Sequence, residues 1–102
     1  MSGSSVTLPG ARVEPEELTR LRAKLLPPYK VILFNDDHND MDYVVSVLLR
    51  LINHLTAPEA IDIMLTAHLT GSAVVVVCPK ESAEYYQERL LNAGLFATIE
   101  PD

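Results

Sequence analysis

Residues Val31 to Val45 read VILFNDDHNDMDYVV. An apolar run stops at Asn35, Asp36 and Asp37 follow, a further carboxylate stands at Asp40, and apolar residues resume at Met41, Val44 and Val45. The segment from Tyr29 to Phe34 is short and rich in β-branched and aromatic residues, which predicts a strand. Beyond the acids, Met41, Val44, Val45, Leu48, Leu51, Ile52 and Leu55 keep helical spacing. Asn39 or Asp40 is suited to cap that helix, and Asp42 places negative charge in its first turn. A strand thus runs through a carboxylate-rich loop into a helix. Such a loop suits a metal ion, a phosphoryl group, or a cationic group on a ligand.

Working outward, Thr56-Ala-Pro-Glu59 has the form of a capping box with proline in the first turn, and predicts a second helix. That helix carries Ile61, Met64, Leu65, Ala67 and His68, with Gly71 as its stop. The run Ala73 to Val77 predicts a buried strand broken by Pro79. Glu81 to Ala93 predicts a third helix ended by Gly94, and Leu95 to Glu100 a last short strand. The order β-α-α-β-α-β predicts an α+β domain, a small three-stranded antiparallel sheet packed against three helices. Upstream, the first residues are Gly, Ser and Pro without apolar period, so residues 1–26 are expected to be a flexible extension. Glu14 to Leu26 has the makings of a short charged helix with a thin apolar face, closed off by Pro27 and Pro28. The domain proper is expected at residues 27–102. A unit of that size is expected to be a monomer with a modest core and no room for a large cofactor.

Eight Lys and Arg stand against fourteen Asp and Glu, for a net charge of −6. This argues against nucleic acid and anionic membrane surfaces as partners, and favours cationic ligands or basic protein surfaces. The single cysteine, Cys78, excludes an internal disulfide and fits a reducing compartment. No apolar stretch is long enough to span a bilayer, and the first residues do not resemble a secretory signal. The expected setting is a soluble intracellular one.

Calcium is a poor fit to the acidic loop. Counting from Asp36 or from Asp37 puts neither glycine at the sixth position nor glutamate at the twelfth. A looser metal site of Asp36, Asp37, His38 and Asp40, or a magnesium-dependent phosphotransfer receiver built on Asp36 and Asp37, is the rival reading. A receiver lacks its acceptor aspartate here, since the later strands end in Cys78-Pro79 and Glu100-Pro101-Asp102. Cys78 follows an apolar strand and reads as a packing residue, and no G-x-S-x-G elbow is present. No enzyme, cofactor or metal is expected. His68 lies four residues after Met64 on the apolar side of its helix, as a core histidine would. Packing of that helix beside the acidic loop would instead gather an amide oxygen, a carboxylate and a neutral imidazole. Those groups accept hydrogen bonds from an ammonium, with Met41 and Met64 supplying an apolar cleft alongside.

The segment Tyr29-Lys-Val-Ile-Leu-Phe-Asn35-Asp36-Asp37, Met41 opening a helix, and Met64-Leu-Thr-Ala-His68-Leu-Thr-Gly71 together resemble the ClpS family of adaptors. The resemblance runs from about Tyr29 to the last residues. It implies binding of proteins with a bulky apolar first residue (Leu, Phe, Tyr or Trp) and delivery to a ClpA- or ClpC-like AAA+ ATPase with its ClpP peptidase. It implies that Asn35, Asp37 and His68 hold the free α-amino group and first peptide bond, with Asp36 adding charge at the rim. Met41 corresponds to a gate residue, and Val44, Met64, Ala67 and Leu95 to pocket walls. Glu81 and Glu84 match acidic positions that face the ATPase. The compartment implied is the bacterial cytoplasm, with plastid stroma second. Three positions depart from the family pattern. Asn39-Asp40-Met41 replaces Thr-Pro-Met, which leaves the loop without a bracing proline; Ala67 replaces a larger branched residue; and Tyr86 replaces a lysine.

Overall fold

A computed structural model describes residues 14–102; residues 1–13, the first half of the expected extension, lie outside it. Helix α1 spans Pro15–Leu25, strand β1 Tyr29–Phe34, α2 Met41–Leu51, α3 Ala57–Thr70, β2 Ser72–Cys78, α4 Lys80–Asn92 and β3 Phe96–Pro101. The β-α-α-β-α-β order holds from β1 onward. The described residues contain four helices, the additional one being α1. Pro15 opens it and Glu17 accepts the Glu14 N–H at 3.3 Å, so local capping sustains a helix that packs on none of the other elements.

Strand β1 lies at the centre of the sheet, antiparallel to β2 on one side and β3 on the other. Val31 pairs with Val76 and Ile99, and Leu33 with Ala73 and Ala97. These residues face the helices. Ile32, with Val74 and Thr98, and Phe34, with Ser72 and Phe96, face the other way. The register shifts between Val31 and Ile32, which leaves Val75 as an extra residue in β2. Val75 is buried, so the bulge adds a side chain to the core.

That core is a single layer between the sheet and helices α2 to α4. Val44, Val47 and Leu48 enter it from α2, Ala60, Met64 and Ala67 from α3, and Ala83 and Leu90 from α4. Each large aliphatic side chain buried there contributes roughly 1.5–3 kcal/mol of transfer free energy. Helix α3 begins as its sequence signal predicts. Thr56 N–H donates to Glu59 Oε1 at 2.8 Å, and Glu59 N–H donates to Thr56 Oγ1 at 3.3 Å. It ends at Gly71, whose φ of 103° favours glycine. The chain then turns so that Gly71 O accepts the Asn35 N–H at 3.0 Å. That bond ties the end of α3 to the end of β1.

Candidate functional site

Where β1 ends, the loop 35–40, the start of α2 and the last turns of α3 enclose a cleft of about 310 Å³. Its rim carries Asn35, Asp36, Asp37, Asp40 and His68, and its interior is lined by Leu33, Val44, Met64 and Ala67. Met41 stands at the mouth, 42% exposed, whereas Ala67 is 3% exposed on the floor. The α3 periodicity produces this division. Met64 and Ala67 turn into the core, and His68, one residue on, turns to the rim.

Expected and observed positions differ at several points. Asn35, Asp36, Asp37, His68, Met41, Val44, Met64 and Ala67 all line the cleft. Leu95 does not. It follows Gly94 (φ 88°), bonds back through its N–H to the Leu90 carbonyl, and is 2% exposed in the core, so the turn draws its side chain away from the cleft. His38, expected in the loose metal site, is absent from the lining. Phe34 and Asn39 also line the cleft without having been expected there, and Asp40, expected as a helix cap or in a loose metal site, lines it too. The signal for Asn39 was its place three residues after Asp36, the spacing at which an aspartate oxygen reaches a following backbone N–H.

Asp36 turns its carboxylate into its own loop. Oδ1 accepts the His38 N–H at 2.8 Å and the Asn39 N–H at 2.9 Å. The Asn39 amide adds contacts of 3.2 and 3.3 Å to the two oxygens. Partial burial pushes the Asp36 carboxyl up. The hydrogen bonds from Asn39 and His38, with the nearby His38 charge, outweigh burial and hold the carboxyl below its ordinary value. The loop has no bracing proline, as expected, and the Asn39 contacts to Asp36 brace it instead. Asp40 occupies the N-cap of α2 without a side-chain cap hydrogen bond.

Among the described residues no group of three or more His, Cys, Asp or Glu side chains is arranged to hold a metal ion. The metal reading also loses Asp36 to the loop. The receiver reading fails on topology, because the sheet is antiparallel throughout. Cys78 sits on β2 opposite Tyr29, away from the cleft, and burial pushes its thiol up. Glu81 and Glu84 lie elsewhere, beside a second groove of about 550 Å³ that Leu25, Leu26, Pro27 and Tyr29 also line. No helix among the described residues is long and apolar enough to cross a membrane.

Sheet, helices and cleft make a small domain with an acidic rim over an apolar floor, and no Ser, Thr, Cys or Lys is among the described lining residues. Residues 24–98 match the family model of the ATP-dependent Clp protease adaptor protein ClpS. The ClpS adapter of Synechococcus elongatus is 47% identical over 89 residues, covering 87% of this chain and 92% of the relative. The chloroplastic adapter CLPS1 of Arabidopsis thaliana is 44% identical over 96 residues, covering 94% of this chain and 59% of the relative. The solved structure of Agrobacterium tumefaciens ClpS2 bound to L-phenylalaninamide superposes with a TM-score of 0.66 at 38% identity, covering 74% of this chain and 96% of that one. The chain belongs to the ClpS family. It is a substrate adaptor of the Clp protease system and not an enzyme.

Proposed function

We propose that the cleft receives the first residue of a substrate protein. Asn35, Asp37 and His68 accept hydrogen bonds from its free α-amino group and first peptide bond, and Asp36 adds charge at the rim. Its bulky apolar side chain enters between Met41, Val44, Met64 and Ala67. The observation that carries this reading is the meeting of an acidic, acceptor-rich rim with an apolar floor in one cleft of about 310 Å³. An N-terminal ammonium differs from every internal peptide by one charge and extra donors, so the rim distinguishes chain ends. Apolar packing alone discriminates weakly, at about 1–3 kcal/mol per methylene. The L-phenylalaninamide in the Agrobacterium tumefaciens ClpS2 structure is a single bulky residue with a free amine, which supports the same reading.

The test is a peptide array varying only the first residue, run without added metal. Leu, Phe, Tyr and Trp peptides are expected to bind, and N-acetylation to abolish binding. Equal binding of acetylated and free peptides would overturn the proposal.

Delivery follows from the second groove. We infer that Glu81 and Glu84, with the apolar end of α1, face a ClpA- or ClpC-like ATPase, in the bacterial cytoplasm or, second to it, the plastid stroma; the cyanobacterial and chloroplastic relatives support a bacterial or plastid setting.

Pocket shape yields a further prediction. Met41 is long and unbranched and stands at the mouth, where it crowds a β-branched first residue. Met41→Ala should admit Ile and Val with little loss for Leu. Ala67→Val adds two methyl groups to the floor and should penalise Trp and Tyr more than Leu, by about 1–3 kcal/mol. A matrix of affinities for peptides differing only in their first residue checks both. Continued rejection of Ile and Val by Met41→Ala would remove the gate assignment, and equal shifts for Leu and Trp would make Ala67 a core residue alone.

A further inference from the structure

The loop that carries Asp37 and the first turn of α2 that follows it are fastened to the chain just past α4 at two adjacent points. Asn39 Nδ2–H donates to the Gly94 carbonyl at 2.9 Å, and Tyr43 Oη–H donates to the Ala93 carbonyl at 2.6 Å. The last carbonyls of a helix have no donors within the helix and need partners. Here the left-handed turn at Gly94 sends the Leu95 N–H back to the Leu90 carbonyl at 3.0 Å. The carbonyls of Ala93 and Gly94 are then met by two side chains from the cleft's side. Asn39 is the branch point. Its amide nitrogen has two hydrogens, and its contacts reach both Gly94 and the Asp36 carboxylate.

We propose that Asn39 is the positioning residue of the cleft, acting through Asp36 and assisted by Tyr43 to hold Asp37 in place before a ligand arrives. The proposal rests on the ammonium-binding reading of the cleft. Asp36 is bound to His38 and Asn39 within the loop, and Asn39 is bound to Gly94 just past α4, so the residue between, Asp37, is held on both sides. Conformational freedom lost on folding need not be lost again on binding, which favours affinity without adding a contact to the ligand. Neither Asn39 nor Tyr43 is required to touch the peptide in this arrangement.

The experiment uses the full chain with Asn39→Ala, and Tyr43→Phe as a variant that removes one hydroxyl and leaves the ring. Amide hydrogen exchange is read at His38 and Asn39, whose N–H groups bond to Asp36. Affinity for a Leu-starting peptide is read by fluorescence anisotropy. Asn39→Ala is expected to speed exchange at both amides and weaken the peptide about tenfold, and Tyr43→Phe to weaken it about threefold, in line with single hydrogen bonds. Added to Asp37→Ala, Asn39→Ala should cost less than about twofold more, because the residue it positions is already gone. A purely structural role would give the same loss in both backgrounds, and that result overturns the proposal. Unchanged exchange in Asn39→Ala shows no strap and overturns it as well. Faster exchange with unchanged affinity rejects the positioning role while the cleft reading stands. If the unsubstituted protein binds no free-amine peptide, the cleft reading fails first and the positioning role falls with it.

Discussion

Asp37→Ala and His68→Ala are each expected to raise the Kd of a Leu-starting peptide at least tenfold, with thermal unfolding nearly unchanged. Both side chains are exposed, so truncation removes little packing from the fold. Their value lies with the ligand. An ammonium drawn against the cleft gives up water, and losing one acceptor leaves a donor unpaired at a cost of about 1–3 kcal/mol. Tenfold in affinity corresponds to about 1.4 kcal/mol. Fluorescence anisotropy with a labelled peptide measures the effect, and an unchanged Kd in either variant would refute the assignment of that residue. The N-acetylated peptide serves as a control, since it lacks the charge these groups are proposed to meet.

The second large effect is expected when residues 1–26 are removed. Peptide affinity should stay within about twofold, and assisted degradation by the cognate ATPase and peptidase should be lost. Among the described residues the cleft uses nothing upstream of Leu33, and α1 packs on no other element. Its removal therefore leaves the domain whole. What it takes away is the leucine face of α1, where Leu18 and Leu21 are each 49% exposed and Leu25 is 71% exposed. It also takes Leu25 and Leu26 from the groove beside Glu81 and Glu84. Degradation of a Leu-starting reporter at the normal rate by the truncated adaptor would reject this division of labour.

Much of the architecture is legible where local chemistry and tertiary packing agree. The capping box at Thr56 and Glu59 marks α3 because both of its hydrogen bonds are local. Gly71 and Gly94 mark stops because their positive φ angles favour glycine. The apolar period from Met41 onward marks α2 because one stripe has to enter the core beside α3 and α4. Boundaries shift slightly: β2 runs Ser72–Cys78, one residue longer at each end than expected, because backbone pairing with β1 extends past the side-chain pattern, and β3 runs Phe96–Pro101, one residue later at each end.

Less legible is whatever depends on contacts distant in sequence. Leu95 looks like a pocket residue until the turn at Gly94 directs it into the core. Asp36 looks like a metal ligand until its loop closes around it. Asn39 reads as a helix cap or as a replaced threonine beside the missing proline, and its bond to Gly94, 55 residues away, has no signature in the local sequence. Helix α1 is the opposite case. Its thin apolar face suggests little packing, and it makes none, yet a proline start and a glutamate at the N-terminal turn are enough to shape it.

The central place of β1 has a consequence for when the protein becomes competent. Its two neighbours are made later, β2 after α3 and β3 after every other element. Asn35 is anchored to Gly71, and Asn39 to Gly94. During synthesis, which proceeds from the N-terminus at about 5–20 residues per second, the loop with its acids emerges early but has nothing to lean on. Both anchors of the loop exist only once Gly71 and Gly94 have been made, so a chain that has not yet reached the turn at Gly94 has no fastened cleft wall.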